Sequence, residues 1–134
     1  MRRAGIVAAV TVAVMAAGLP VSSADAISRD VATRVAQRYL DAISRSDWRR
    51  VCAMLGKQAR QDLLDAAEAA GEPAGSCRQA AGAMLFPQLG DVDIAAVTTH
   101  GRTATVWVIH GNDPDTSGNF RVRRVAGRWR VLDL

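Results

Sequence analysis

The hydrophobic period of this chain changes once, near Asp91, and that change limits the fold more than any other feature. Before it, apolar residues recur at the three-to-four spacing of helices; after it, they alternate with polar ones as in strands. Val31, Val35, Tyr39 and Ile43 fall at every fourth position, with Ala32, Ala36 and Leu40 beside them and Arg34, Arg38 and Asp41 facing elsewhere. Such a stripe predicts a first helix, capped by Ser28 or Asp30. Asp47 as N-cap, then Trp48, Val51, Cys52 and Leu55 on one face and Gly56 as the stop, predict a short second helix. A third is expected from Gln58 to Ala70, ended by Gly71 and Pro73, and Ser76 opens a fourth, shorter one carrying Cys77, Ala81, Met84 and Leu85.

Beyond Asp91, Val92, Ile94 and Ala96 alternate with Asp91, Asp93 and Ala95, and a turn at His100-Gly101 leads into Thr103 to His110, rich in β-branched and aromatic residues. A long polar turn, Gly111 to Asn119, is expected next. Phe120, Val122 and Arg124 then alternate with Arg121 and Arg123, and a tight turn at Ala126-Gly127 returns the chain through Trp129 and Val131. Helices followed by a meander of about four strands give the α+β class, with no internal repeat or interdomain linker.

The N-terminus belongs to a different regime. Arg2 and Arg3 precede an uncharged apolar run from Ala4 to Leu19; Pro20, Ser22 and Ser23 follow, and Ala24-Asp25-Ala26 supplies small residues around a scissile bond. This is the layout of a secretory leader, and the apolar run is short for a membrane span, which wants about 20 residues. The expected division is a leader over 1–26 and a single domain over 27–134, beginning at Ile27 and placed outside the cytoplasm with no membrane anchor after cleavage. Retention of the leader as an anchor is the alternative. Cys52 and Cys77 are the only cysteines. In an oxidising compartment they are expected to form a disulfide, closing a loop of about 26 residues that is worth roughly 3 to 4 kcal/mol on the chain-entropy model.

Charge and spacing narrow the chemistry. Lys plus Arg number 17 against 13 Asp plus Glu, a mild excess that, with export, argues against nucleic acid. His100 and His110 have no metal-ligand spacing, and the loop-like run Asp113-Pro114-Asp115-Thr116-Ser117-Gly118 places Arg124 where a calcium loop needs glutamate, so no metal or cofactor is expected. Arg121, Arg123, Arg124, Arg128 and Arg130 form the densest basic cluster, read as a solvated sheet face with anionic envelope polymers or lipid headgroups as the alternative. Trp48, Trp107 and Trp129 read as core aromatics; Trp107 has the further option of reaching a pocket or a dimer face.

Three stretches resemble one family. Val35 to Ile43 followed by Ser46-Asp47-Trp48-Arg49-Arg50-Val51-Cys52 is similar to the opening helix, acidic turn and second helix of the ketosteroid-isomerase-like, nuclear-transport-factor-type cone fold, especially its small secreted actinobacterial members. Val122 to Val131 resembles that family's last hairpin, and the Cys52 and Cys77 pair resembles the disulfide of its exported members. The resemblance implies helices packed on a curved sheet of about four strands. It also implies a pocket, with Tyr39, Trp107 and His110 as candidate lining residues, and pairing of two copies through the sheet. Tyr39 falls where the enzymes of the family carry an oxyanion-stabilising hydroxyl, but no base is placed after helix two. The resulting expectation is a domain without catalytic activity that binds a small apolar ligand or a partner protein. Its alternatives are an isomerase-like or hydrolase-like enzyme using Tyr39, and an anchored envelope assembly module.

Overall fold

The computed structural model describes residues 26–111 and 113–133; the expected leader, save Ala26, lies outside them. Four helices come first: α1 (Arg29–Ser44), α2 (Trp48–Met54), α3 (Lys57–Ala69) and α4 (Cys77–Leu89). Four strands follow: β1 (Asp93–His100), β2 (Thr103–His110), β3 (Asp113–Val125) and β4 (Arg128–Val131), in one antiparallel sheet of order β1-β2-β3-β4. The chain is therefore α+β, with the helical half and the strand half meeting where the hydrophobic period changes.

Local chemistry accounts for most of the boundaries. Ser28 Oγ accepts from the Val31 N–H at 3.2 Å, Asp47 Oδ1 from Arg50 at 3.3 Å and Ser76 Oγ from Gln79 at 3.2 Å, satisfying otherwise unpaired donors at three helix starts. The α1 stripe is buried as its spacing requires: Ala32, Val35, Ala36, Tyr39, Leu40, Ala42 and Ile43. At the β3–β4 turn Ala126 and Gly127 both have positive φ, 50° and 78°, the pattern whose twist suits a two-residue hairpin.

Three boundaries differ from the sequence reading. The fourth helix is not short: α4 runs 13 residues, as long as α3. Pro87 sits in its last turn, where the missing N–H removes only one helical bond before the helix ends at Gly90. The polar stretch Gly111 to Asn119 is not a long turn, because β3 starts at Asp113 and pairs with β2 from His110↔Asp113 to Thr103↔Arg123. Its turn-forming residues still act locally: Asp113 Oδ1 accepts from the Asp115 N–H at 2.9 Å and Thr116 Oγ1 donates to the Asp113 carbonyl at 2.9 Å. That chemistry coincides with a register shift between Val108 and His110, so it bends the strand rather than ending it. Gly56, finally, does not stop α2 through a left-handed conformation; it has φ −66° and precedes α3. Its N–H donates to the Val131 carbonyl at 2.8 Å, and a Cβ there would stand 3.2 Å from that oxygen, so close approach to β4 is what favours glycine.

A second register shift, between Ile94 and Ala96 in β1, moves the inward position from the even-numbered side chains to Val97. The core then gathers the α1 stripe, Val51, Leu55, Leu63, Leu85, Val97, Val106, Val108, Phe120, Val122 and Val131. Alanines 59, 67, 80 and 81 are fully buried where α3 and α4 meet their neighbours. Trp48 and Trp129 are half-buried against this core, while Trp107 is 42% exposed on the other face of the sheet. Trp107 is thus not a core residue: β2 alternates, and Val106 and Val108 take the inward positions.

A disulfide joins Cys52 in α2 to Cys77 at the start of α4, with Cα atoms 6.1 Å apart. It closes the excursion that contains α3. Replacing both cysteines with serine is expected to lower unfolding free energy by roughly 3 kcal/mol on the chain-entropy model, read as a lower urea midpoint under non-reducing conditions.

Candidate functional site

The end of α4 and the β2–β3 hairpin enclose a cleft of about 400 Å³. Its apolar wall comes from Pro87, Leu89, Val108 and Phe120, and its polar rim includes His110, Thr116 and Asn119. Its shape has a local cause. Gly118 lies opposite Val108 in the β2–β3 register and offers no side chain, so the strand pair is hollow there. A few polar groups around an apolar hollow are what a small-molecule site needs to orient a ligand. His110, the last residue of β2, has Nδ1 3.2 Å from the Thr116 carbonyl, an oxygen that can only accept, so the Nδ1–H donates to it.

The residues singled out from the sequence are distributed rather than gathered. His110 lines the cleft. Tyr39 is wholly buried in α1 and meets Phe120 edge to face, ring centroids 5.2 Å apart at 62°. Phe120 therefore belongs to both the Tyr39 contact and the cleft wall. Trp107 lies on the opposite face of β2, beside Ala96 and Asn119 in register. The cleft residues Pro87, Leu89, Gly118 and Phe120 were not identified as a set from the sequence. The signal that points to them is a glycine facing a valine across two strands, next to the proline-bearing end of a helix.

The Tyr39 hydroxyl is the one buried side-chain polar atom without a hydrogen-bond partner among the described residues. Burial strips water from its phenolate and drives its pKa upward. His100 is exposed at the end of β1. Among the described residues no three His, Cys, Asp or Glu side chains are grouped to hold a metal ion. The run from Asp113 to Gly118, compared above with a calcium loop, is part of β3.

On the outer sheet face, Arg123 and Arg130 stand directly opposite each other on β3 and β4. Like charges so placed repel. The arrangement is relieved by drawing Arg130 away to the Ala53 carbonyl near the end of α2. Arg121 grips Asp133 with two bonds, Nε to Oδ2 at 2.6 Å and Nη2 to Oδ1 at 2.8 Å. That forked hydrogen bonding holds the Asp133 carboxyl below its ordinary range. In the helical half Arg60 Nη2 donates to the Cys52 carbonyl at 2.8 Å, again ending on main chain, while Arg50 Nε lies 3.9 Å from Asp47 Oδ2.

Two titrations test these assignments. Tyr39 is the only tyrosine, so phenolate ultraviolet absorbance reports it alone. Because its folded pKa is raised, folding stability is complete below the ordinary tyrosine pKa of about 10 and declines as pH rises beyond it. Tyr39→Phe is expected to lose that alkaline decline and to be neutral or up to about 1 kcal/mol more stable at neutral pH, since it deletes an unpaired hydroxyl without changing shape. For Asp133 the sign is opposite: its contribution is present above the unfolded carboxylate pKa and is lost as pH falls through the lower folded one. In Arg121→Ala, the Asp133 carboxyl followed by NMR is expected to titrate at higher pH than in the parent.

Among the described residues no helix is long and apolar enough to cross a membrane. Comparison of the chain with protein-family models, with curated proteins and with solved structures gave no match.

Proposed function

We propose that the chain is an exported binding module of the cone-fold type, its leader removed after Ala26 and its helices packed over a curved sheet, that holds a small apolar ligand in the cleft between α4 and the β2–β3 hairpin. The observation that carries this reading is the cleft itself, about 400 Å³ with Val108, Leu89 and Phe120 in its wall. Burying apolar ligand surface against these side chains is worth about 25 cal/mol per Å². The rim supplies the His110 imidazole and hydroxyl and amide groups for orientation. Export is supported by the layout of residues 1–26, and the Cys52–Cys77 disulfide is compatible with an oxidising destination. A protein partner seated at the same opening is the companion form of this reading.

The enzymatic alternative draws on a different observation, the unpaired Tyr39 hydroxyl, which in that reading donates to a developing oxyanion. It requires a substrate to displace Phe120 and an ionisable group to reach the same spot. An anchored assembly module is the third reading and requires the leader to persist.

The test is native mass spectrometry of the protein exported by a bacterial host, before and after a cleft-filling substitution. Ser117→Trp places an indole at the exposed rim. A co-purified or added apolar ligand is expected to bind the parent at least tenfold more tightly than the variant, with thermal midpoints alike. Equal binding by both proteins would remove the cleft as the site.

A further inference from the structure

Two features of the sequence have no part in the cleft: the arginine cluster of the last hairpin and the exposed indole of Trp107. The strand registers bring them to one face. Trp107 stands between Ala96 and Asn119 across β1, β2 and β3, and the short Ala96 side chain leaves the indole open on that flank. The next outward row is Thr98, Thr105 and Arg121, and the one beyond it pairs Thr103 with Arg123. Val106, Val108, Phe120 and Val122 point the other way, into the core. Arg121 is held by Asp133, but the Arg123 guanidinium is exposed and makes no ion pair or hydrogen bond among the described residues. The strand carboxylates Asp93, Asp113 and Asp115 lie at the opposite end of the sheet. The face therefore carries an aromatic platform, a line of hydroxyls and a cationic end.

We propose that this outer face of the sheet binds a strand of carboxylate-bearing polysaccharide, one sugar ring lying on Trp107 and a carboxylate further along meeting Arg123. The site is on the side of the sheet away from the Val108 and Phe120 wall and is independent of the apolar cleft; of the residues named for it, only Asn119 also borders the cleft. The chemistry is selected partly by what the face lacks. Its main-chain donors and acceptors are paired between strands, so an extended peptide gains no ladder there. A membrane surface calls for apolar side chains that reach into lipid, whereas hydroxyl and amide groups surround Trp107. A pyranose ring suits the arrangement. Its C–H face is apolar and packs on an indole, and its hydroxyls project sideways toward Thr98, Thr105 and Asn119. Trp107 and Thr103 are four residues apart, roughly 13 Å along an extended strand, a span of about three linked rings. There the Arg123 fork meets a ring carboxylate in charge-assisted hydrogen bonds. Arg130, opposite it, is drawn to the Ala53 carbonyl, so Arg123 has no protein partner to give up among the described residues. The acidic end of the sheet repels the same polymer and keeps it toward the arginines.

The experiment titrates the exported protein, Trp107→Thr and Arg123→Gln by calorimetry with trigalacturonate and with maltotriose, a neutral sugar of the same length. Trp107→Thr keeps a strand-forming residue and Arg123→Gln removes a like-charged neighbour of Arg130, so both are expected to fold, which thermal midpoints near the parent's verify. The parent is expected to bind trigalacturonate about tenfold more tightly than maltotriose, a margin that shrinks as salt is added. Trp107→Thr is expected to weaken both sugars about tenfold through loss of the stack, and Arg123→Gln to bring the acidic sugar close to the neutral one. That split separates stacking from charge, and Arg123→Gln carries the test alone if Trp107→Thr fails to fold. No binding by the parent, equal binding of the two sugars, or binding that neither substitution alters overturns the proposal. Capture of the parent on phosphatidylglycerol vesicles without trisaccharide binding overturns it in favour of a lipid surface. The apolar ligand of the cleft is read separately, by the Ser117→Trp comparison.

Discussion

The contact between Tyr39 and Phe120 is where the helical and strand halves of the molecule are held in register. Tyr39 stands on the buried stripe of α1, and Phe120 on the inward face of β3. Helix α1 comes against α2, α4, β1, β2 and β3, so its orientation sets the spacing of nearly every other layer. An edge-to-face aromatic pair is worth about 0.5 to 1.5 kcal/mol beyond the area it buries. It also has a preferred geometry, which aliphatic contacts lack. The unpaired hydroxyl opposes this gain, and the protein tolerates it because the ring fills the space that organises both halves.

A second set of interactions closes the sheet edge at β4. The segment between α2 and α3 runs along β4, where Leu55 bridges to Val131 and the Gly56 N–H bonds to the Val131 carbonyl. This covers main-chain groups that an edge strand would leave available for pairing with another chain. Arginine assists in the same region by serving main chain rather than carboxylates: Arg130 reaches Ala53 and Arg60 reaches Cys52, both carbonyls of α2. These bonds satisfy acceptors toward the helix C-terminus and place positive charge where the helix dipole favours it.

The first half of the fold was legible because its signals were local. The α1 stripe and the Asp47 and Ser76 caps each express chemistry within a few residues, the two cysteines, 25 positions apart, are the only pair the sequence offers, and the structure contains all of them. The errors arose where a partner across the sheet decided the outcome. Nothing near Asp113 to Asn119 favours a strand; pairing with β2 imposes one. Gly56 reads as a helix stop until Val131 is known to lie against it, and Trp107 reads as core until the alternation of β2 is anchored by Val106 and Val108. The cleft was illegible for the same reason. Its hollow depends on Gly118 facing Val108, a relation between positions that only the register of two strands creates. His110 was recognised as a candidate from its place at a strand end, whereas Tyr39 and Trp107 proved to stand on opposite sides of the sheet.

The Gly56–Val131 bond also has a temporal meaning. Synthesis delivers α2 and its exposed junction early, but the strand that latches this junction follows only after α3, α4 and three strands have been made. Until then the helices can form turns and caps, yet their shared apolar surface has no sheet edge to close against. Glycine at position 56 thereby ties a junction made early in synthesis to the strand made last.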